Sequence, residues 1–304
     1  MKGEENVLTT HAAPVYLPSY TTELSIHFLG DIHYDSPACD RQAFEVDVAA
    51  IKRQHDAGEP YAIVLMGDYL DRCSDSERGK LVKASVHEST QATWDRGALR
   101  DITEFLDTIW FAKDHILGVV QGNHYWTFLT GDLKGKSSDA YMAEKLGCKW
   151  LGFLSYIRLT LTVGKARSTR VPLDLCVCHG GRGGGKLAGT SINQVDDLRR
   201  IFPGASVYAM GHNHQAGAVP ASALFAHALQ GNTAKGGLDI REKKQLLIRT
   251  GSYLKAYEQN TPSYAVRALY KPATLGHAEV QVRVLRLRSQ DGGQAVAHDI
   301  KAVV

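Results

Sequence analysis

Five apolar runs in this chain each deliver a carboxylate, amide or imidazole at the C-terminal end, and this recurrence limits the fold more than any other feature. Residues 23–30 open on Asp31 and His33, 61–66 on Gly67 and Asp68, 116–120 on Gly122, Asn123 and His124, 171–178 on His179, and 206–210 on Gly211, His212, Asn213 and His214. Runs of five to eight residues, alternating or continuously apolar, read as strands. Open α/β folds gather their ligands where such strands end. An isolated His-x-His more commonly has one ring packed and the other solvated. Partners at four other strand ends make a shared metal site the better account of His212 and His214.

Between the strands, helical spacing recurs. Phe44, Val48 and Ile51 predict a helix that starts after Asp40, a good N-cap. Leu99, Ile102, Phe105, Leu106 and Ile109 predict a second, and 138–146 and 191–202 two more. Residues 73–97 are polar and weakly periodic and read as an insertion or an exposed helical excursion. The β-rich stretch 150–163 marks the crossover to a second sheet. Beyond the His-x-His, strands are expected over 246–250, 264–270 and 279–287, the last with a bulge near Val284. No linker or repeat interrupts the pattern.

A chain of 304 residues with 44 % hydrophobic and 22 % charged residues has the composition of an ordinary globular protein. Its net charge of +3 is too small to argue for nucleic acid by itself. Five cysteines, with no Cys-x-x-Cys pair, favour reduced thiols and a cytoplasmic setting. Cys176 and Cys178 read as small buried hydrophobes rather than zinc ligands. Residues 1–20 lack a signal-peptide apolar core, and no run approaches the ~20 apolar residues that span a bilayer. The loop 180–186 nearly matches a P-loop, but Leu187 stands where the magnesium-binding hydroxyl is needed. Arg182 and Lys186 are therefore read as phosphate contacts of an ordinary loop.

The mixed oxygen and imidazole donors suit two divalent first-row ions. Their order, Asp-x-His, Gly-Asp-x-x-Asp, Gly-Asn-His, a later His, and Gly-His-x-His, resembles the calcineurin-like metallophosphoesterase family over about two thirds of the chain. The resemblance implies an α/β fold of two packed mixed sheets flanked by helices, in four αββα layers. It implies one ion on Asp31, His33, Asp68 and His214 and another on Asp68, Asn123, His179 and His212, with Asp68 bridging. Manganese is the expected metal, with iron and zinc as the other candidates. His124 would face the leaving oxygen, paired with Asp71. Residues 1–22 are taken as an N-terminal extension and 23–304 as one domain, with the ligands inside 31–214 and a β-rich part over 215–304.

The implied reaction is hydrolysis of a phosphoric ester by a metal-bridging water or hydroxide. Its substrate is expected to be a phosphodiester of nucleic acid or a nucleotide, as in the family's nucleases. The long segment between Asp71 and Asn123 also resembles phosphoesterases of phages and prophages. Tyr125 and Trp126 stand where much of the family has an acidic residue first; they would stack a base or belong to the core. Arg72 is a candidate phosphate contact. The alternatives are a small-molecule or protein phosphomonoesterase and a non-catalytic metal-binding scaffold. Oligomeric state is left open, and the eight other histidines are read as structural.

Overall fold

The computed structural model describes residues 7–84, 86–164, 169–181, 189–228, 238–260, 266, 269, 271–288 and 294–304. In chain order it contains β1 (Leu8–Leu17), β2 (Glu23–Leu29), α1 (Arg41–Asp56), β3 (Tyr61–Leu65), α2 (Asp75–Lys83), α3 (Glu88–Ile109), β4 (Ile116–Val120) and α4 (Ser138–Leu146). There follow β5 (Lys149–Gly152), β6 (Leu154–Val163), β7 (Thr169–Cys178), α5 (Gly189–Ile201), β8 (Val207–Met210), β9 (Ala216–Ala228), β10 (Leu238–Thr250), β11 (Ala278–Arg288) and β12 (Gln294–Val303).

These strands form two six-stranded mixed sheets, ordered β1-β6-β7-β8-β10-β9 and β12-β11-β2-β3-β4-β5. A core of fully buried aliphatic residues, among them Ile26, Val64, Leu175, Val207, Ile248 and Val282, lies between them. A second core packs α1, α3 and α4 on the outside of the β2 sheet, and a third packs α5 on the outside of the other. The result is the four-layer αββα arrangement. All five residues of β3 are buried, which is why its sequence is continuously apolar rather than alternating.

Local signals fix the helix ends. Asp40 caps α1 by accepting from the Ala43 amide at 3.0 Å, and the helix buries Phe44 and Ile51. Gly147 ends α4 in the left-handed conformation that a glycine C-cap provides. The polar excursion resolves into α2 and the first half of α3, which starts at Glu88, eleven residues before the apolar stripe makes it visible.

Some expectations need correction. No bulge occurs near Val284: β11 pairs with β12 without interruption from Glu279–Val303 to Arg288–Gln294, and Leu285 simply points outward. The strand expected over 264–270 falls mostly outside the described residues. The stretch read as an N-terminal extension carries β1, an edge strand parallel to β6. Pro14 is tolerated there because an edge strand need not donate on both sides.

Candidate metal centre

Strands β2, β3 and β4 run parallel in one sheet, and β7 and β8 run parallel in the other. Their C-terminal ends meet at one edge of the sandwich. Main-chain bonds lace the ends together: the Asp31 amide donates to Gly67 O (2.9 Å), the His33 amide to Asp68 O (3.0 Å) and the Tyr253 amide to Asp31 O (2.9 Å). Side chains also bridge the two sheets. The His212 amide donates to Asp31 Oδ2 at 2.9 Å, and His179 Nδ1 donates to Met66 O at 2.8 Å. Glycine is required at two of the approaches. A Cβ on Gly122 would lie 2.2 Å from Asp68 Oδ1, and one on Gly67 would lie 2.6 Å from His179 Nδ1.

The side chains gather in overlapping groups. Asp31, His33 and His214 form one, Asp68, His179 and His212 a second, and His33, Asp71 and His124 a third; within each, the donor atoms lie within 4.8 Å of one another. His214 Nε2 is 3.3 Å from Asp31 Oδ1. Asp68 Oδ2 lies 3.1 Å from His179 Nε2 and 3.9 Å from His33 Nε2, between the first two groups. Asn123 Oδ1 faces His212 Nδ1 at 2.7 Å and His179 Nε2 at 3.0 Å.

These donors fit divalent cations. Asp31, His33, Asp68 and His179 are at most 2 % exposed, and His33 Nε2 is buried with no hydrogen-bond partner among the described residues. His33 and His179 each spend Nδ1 on a protein oxygen, Asp71 Oδ1 at 3.2 Å and Met66 O, which turns Nε2 toward the centre. Carboxylate, amide and imidazole donors without thiolate suit manganese, iron or zinc. Asp31, His33, Asp68, His212 and His214 make up five of the seven non-glycine residues with positive φ among the described residues. Each such conformation costs ~1–3 kcal/mol and persists only where the surrounding bonds impose it. Strain is thus concentrated on the donors.

Charge is arranged to the same end. Burial alone would raise the Asp68 carboxyl, but His179, His124 and His33 hold it well below the ordinary range. Burial opposes protonation of His179, yet Asp68 beside it carries that imidazole up to about 9. His212, which burial pushes down to about 4, stays neutral. A pocket that draws protons onto imidazoles will accept a divalent cation in their place. At the rim, Asp71 Oδ1 lies 3.2 Å from both His124 Nδ1 and His33 Nδ1. Burial works against the charge of His124, but Asp71 and Asp68 raise it to about 9.

The expected substrate contacts fare differently. Arg72 is ion-paired to Asp35, at 2.9 Å, and to Asp101. Tyr125 and Trp126 are 4 % and 6 % exposed. The Arg78 guanidinium covers the Tyr125 ring at 3.6 Å, while Trp126 Nε1 donates to Asp95 Oδ1 at 2.8 Å. These rings are buried, the second of the two alternatives that the sequence leaves open for them. Arg182 and Lys186 lie outside the described residues.

Sequence reasoning missed three supports. Asp139, at the start of α4, accepts from the Gly122 amide at 2.9 Å; burial raises its carboxyl to about 6. Arg249, 1 % exposed, donates to Gly211 O (2.6 Å) and Ser191 O (2.7 Å), anchoring the His-x-His turn to α5. A lone cation ending the apolar run 246–248 was its only signal. Arg78 reaches the carbonyls of Asn123 and Tyr125 from within the unread excursion.

The sequence profile of the family described as calcineurin-like phosphoesterase matches residues 24–229. No curated protein matches the chain. Among solved structures, it is similar to wild-type Vps29 complexed with Zn2+ from Entamoeba histolytica, at 12 % identity and a TM-score of 0.33 over 91 % of this chain and 98 % of that one. Vps29 from Chaetomium thermophilum gives 11 % and 0.30 over 92 % and 97 %. A conserved uncharacterized protein of Streptococcus pneumoniae TIGR4, titled a predicted phosphoesterase, gives 12 % and 0.31 over 92 % and 99 %.

Proposed function

The chain belongs to the calcineurin-like phosphoesterase family, a metal-dependent class of phosphoric ester hydrolases, and from that premise we propose how its residues divide the work. Asp31, His33, Asp68 and His214 hold one divalent ion, and Asp68, Asn123, His179 and His212 hold the other. The observation that carries this reading is the position of Asp68 Oδ2 between the two donor groups. When bound, such ions supply positive charge to a phosphoryl group and acidify water. Manganese is the proposed metal, to be checked by metal analysis.

His124 holds a proton at the rim. Asp71 beside its Nδ1 keeps the ring charged, and the opposite nitrogen, Nε2, delivers the proton to the departing oxygen. This help matters most for a poor leaving group such as an alkoxide, and the substrates proposed are phosphodiesters of nucleotides or nucleic acid. Tyr125 and Trp126, being buried, take no part in that preference. Five free cysteines support a reducing, cytoplasmic setting, and among the described residues no helix is long and apolar enough to cross a membrane.

The test is a substrate panel of single- and double-stranded DNA, RNA, cyclic nucleotides and a phosphomonoester. Each is given to metal-free protein with manganese added back. Turnover of the diesters is expected. Turnover of the monoester alone would move the function to a phosphomonoesterase, and no turnover with two ions bound would leave a scaffold.

A further inference from the structure

Helix α2 lies outside every recognised ligand block, yet its Arg78 reaches into the loop that carries His124. The guanidinium donates from Nη1 to Asn123 O at 2.9 Å, to Tyr125 O at 3.1 Å and to Cys73 O, and stacks 3.6 Å from the centre of the Tyr125 ring. The carbonyl between these two, His124 O, accepts from the Arg72 amide at 3.2 Å. On the opposite side, the amides of Asn123 and His124 donate to Asp68 Oδ1 at 2.7 and 2.9 Å. The peptide groups around His124 are thus held from two directions, by a buried carboxylate beneath and an arginine above.

We infer that Arg78 is a positioning residue for the hydrolysis, fixing the main chain on both sides of His124 so that its ring meets the departing oxygen. The inference rests on the role proposed for His124. A cation bonded to neutral carbonyls and lying over an aromatic face gains from both contacts. The flat guanidinium matters, because the same plane that stacks on the Tyr125 ring also carries Nη1 to the carbonyls, and a lysine ammonium has no flat face to stack. Helix α2 also carries a capping box in which Glu77 accepts from the Ser74 amide at 2.9 Å, so the arm that presents Arg78 is itself anchored. A 1 Å misplacement of a reacting group can cost ~10²-fold in rate. The loss from removing Arg78 should be selective for steps that need His124.

The experiment compares Arg78→Ala and Arg78→Lys with the unaltered protein, all loaded with manganese, on two phosphodiesters: one with a nitrophenyl leaving group and one with an alkyl leaving group. For Arg78→Ala we expect kcat on the alkyl ester to fall ~10–100-fold, with KM and bound manganese unchanged and the nitrophenyl ester nearly unaffected. Guanidinium ion in solution should restore part of the loss, and Arg78→Lys should retain part of the rate. Equal losses on both esters, a parallel loss of manganese, or unchanged kinetics would overturn the inference. Hydrogen exchange at the amides of residues 123–125 gives a readout without turnover, and faster exchange is expected in Arg78→Ala. If the unaltered protein hydrolyses neither ester, the phosphoesterase reading fails; unchanged exchange would then overturn the positioning role separately.

Discussion

Asp68 and His124 are one hydrogen bond apart, but the Asp68 side chain is 2 % exposed beneath the strand ends and the His124 side chain 18 % exposed at the rim. The floor around Asp68 is fixed by main-chain bonds between strand ends, with left-handed residues locked in place. The rim around His124 is fixed by side chains: Asp71, and Arg78 from a helix on the polar excursion. Under the roles proposed above, metal retention would rest mainly on the floor and proton delivery mainly on the rim, the two joined through Asp68 Oδ1 and Asp71, and substitutions should tell them apart.

Asp68→Asn tests the floor and carries the largest expected effect. It removes the shared carboxylate, so bound metal should fall below two equivalents and turnover should collapse; two full equivalents would contradict the bridge. His124→Ala tests the rim. Metal content should stay at the unaltered level while kcat falls ~10²–10⁴-fold, most for poor leaving groups. Asp71→Asn probes the rim carboxylate that touches both regions, because it faces His33 as well as His124. A milder loss of ~10–100-fold is expected, accompanied by weaker metal binding in a competition titration. Normal metal affinity in that variant would confine Asp71 to the rim.

The smallest effect concerns the sheets rather than the centre. His27 in β2 is buried, and its pKa is lowered chiefly by that burial. Since its folded pKa lies below the unfolded value of 6.5, the unfolded chain takes the proton first. Stability from this residue is present above pH 6.5 and is lost as pH falls below it. In metal-free protein, His27→Gln should therefore lose less stability than the unaltered chain when urea denaturation is repeated below that pH. An identical acid loss in both would sink the assignment.

The floor was legible in the sequence because each donor directly follows an apolar run, and strand periodicity survives in a single chain. Its supports were not. Arg249 stabilises a turn 38 residues away, and Asp95 holds Trp126 from 31 residues away, so neither pairing leaves a local mark. Trp126 looked available for substrate only because its partner was invisible. Strands β1 and β9 were missed since their alanines, prolines and, in β9, a glycine disfavour the extended state; pairing with β6 and β10 makes them strands. Helix α2 lacks an apolar stripe and is held instead by a capping box and by Arg78.

The parallel pairing of β1 with β6 has a consequence for how the chain is made. Thr9 bonds to Ser155, 146 residues later, so β1 leaves the ribosome long before the strand it pairs with. At ~5–20 residues per second, β1 waits about 7–30 s for its partner. Over that interval an uncharged ten-residue segment must stay solvated or be sheltered by a chaperone. Yield of active protein should therefore depend on the speed of synthesis between Leu17 and Leu154, even though neither residue touches the centre.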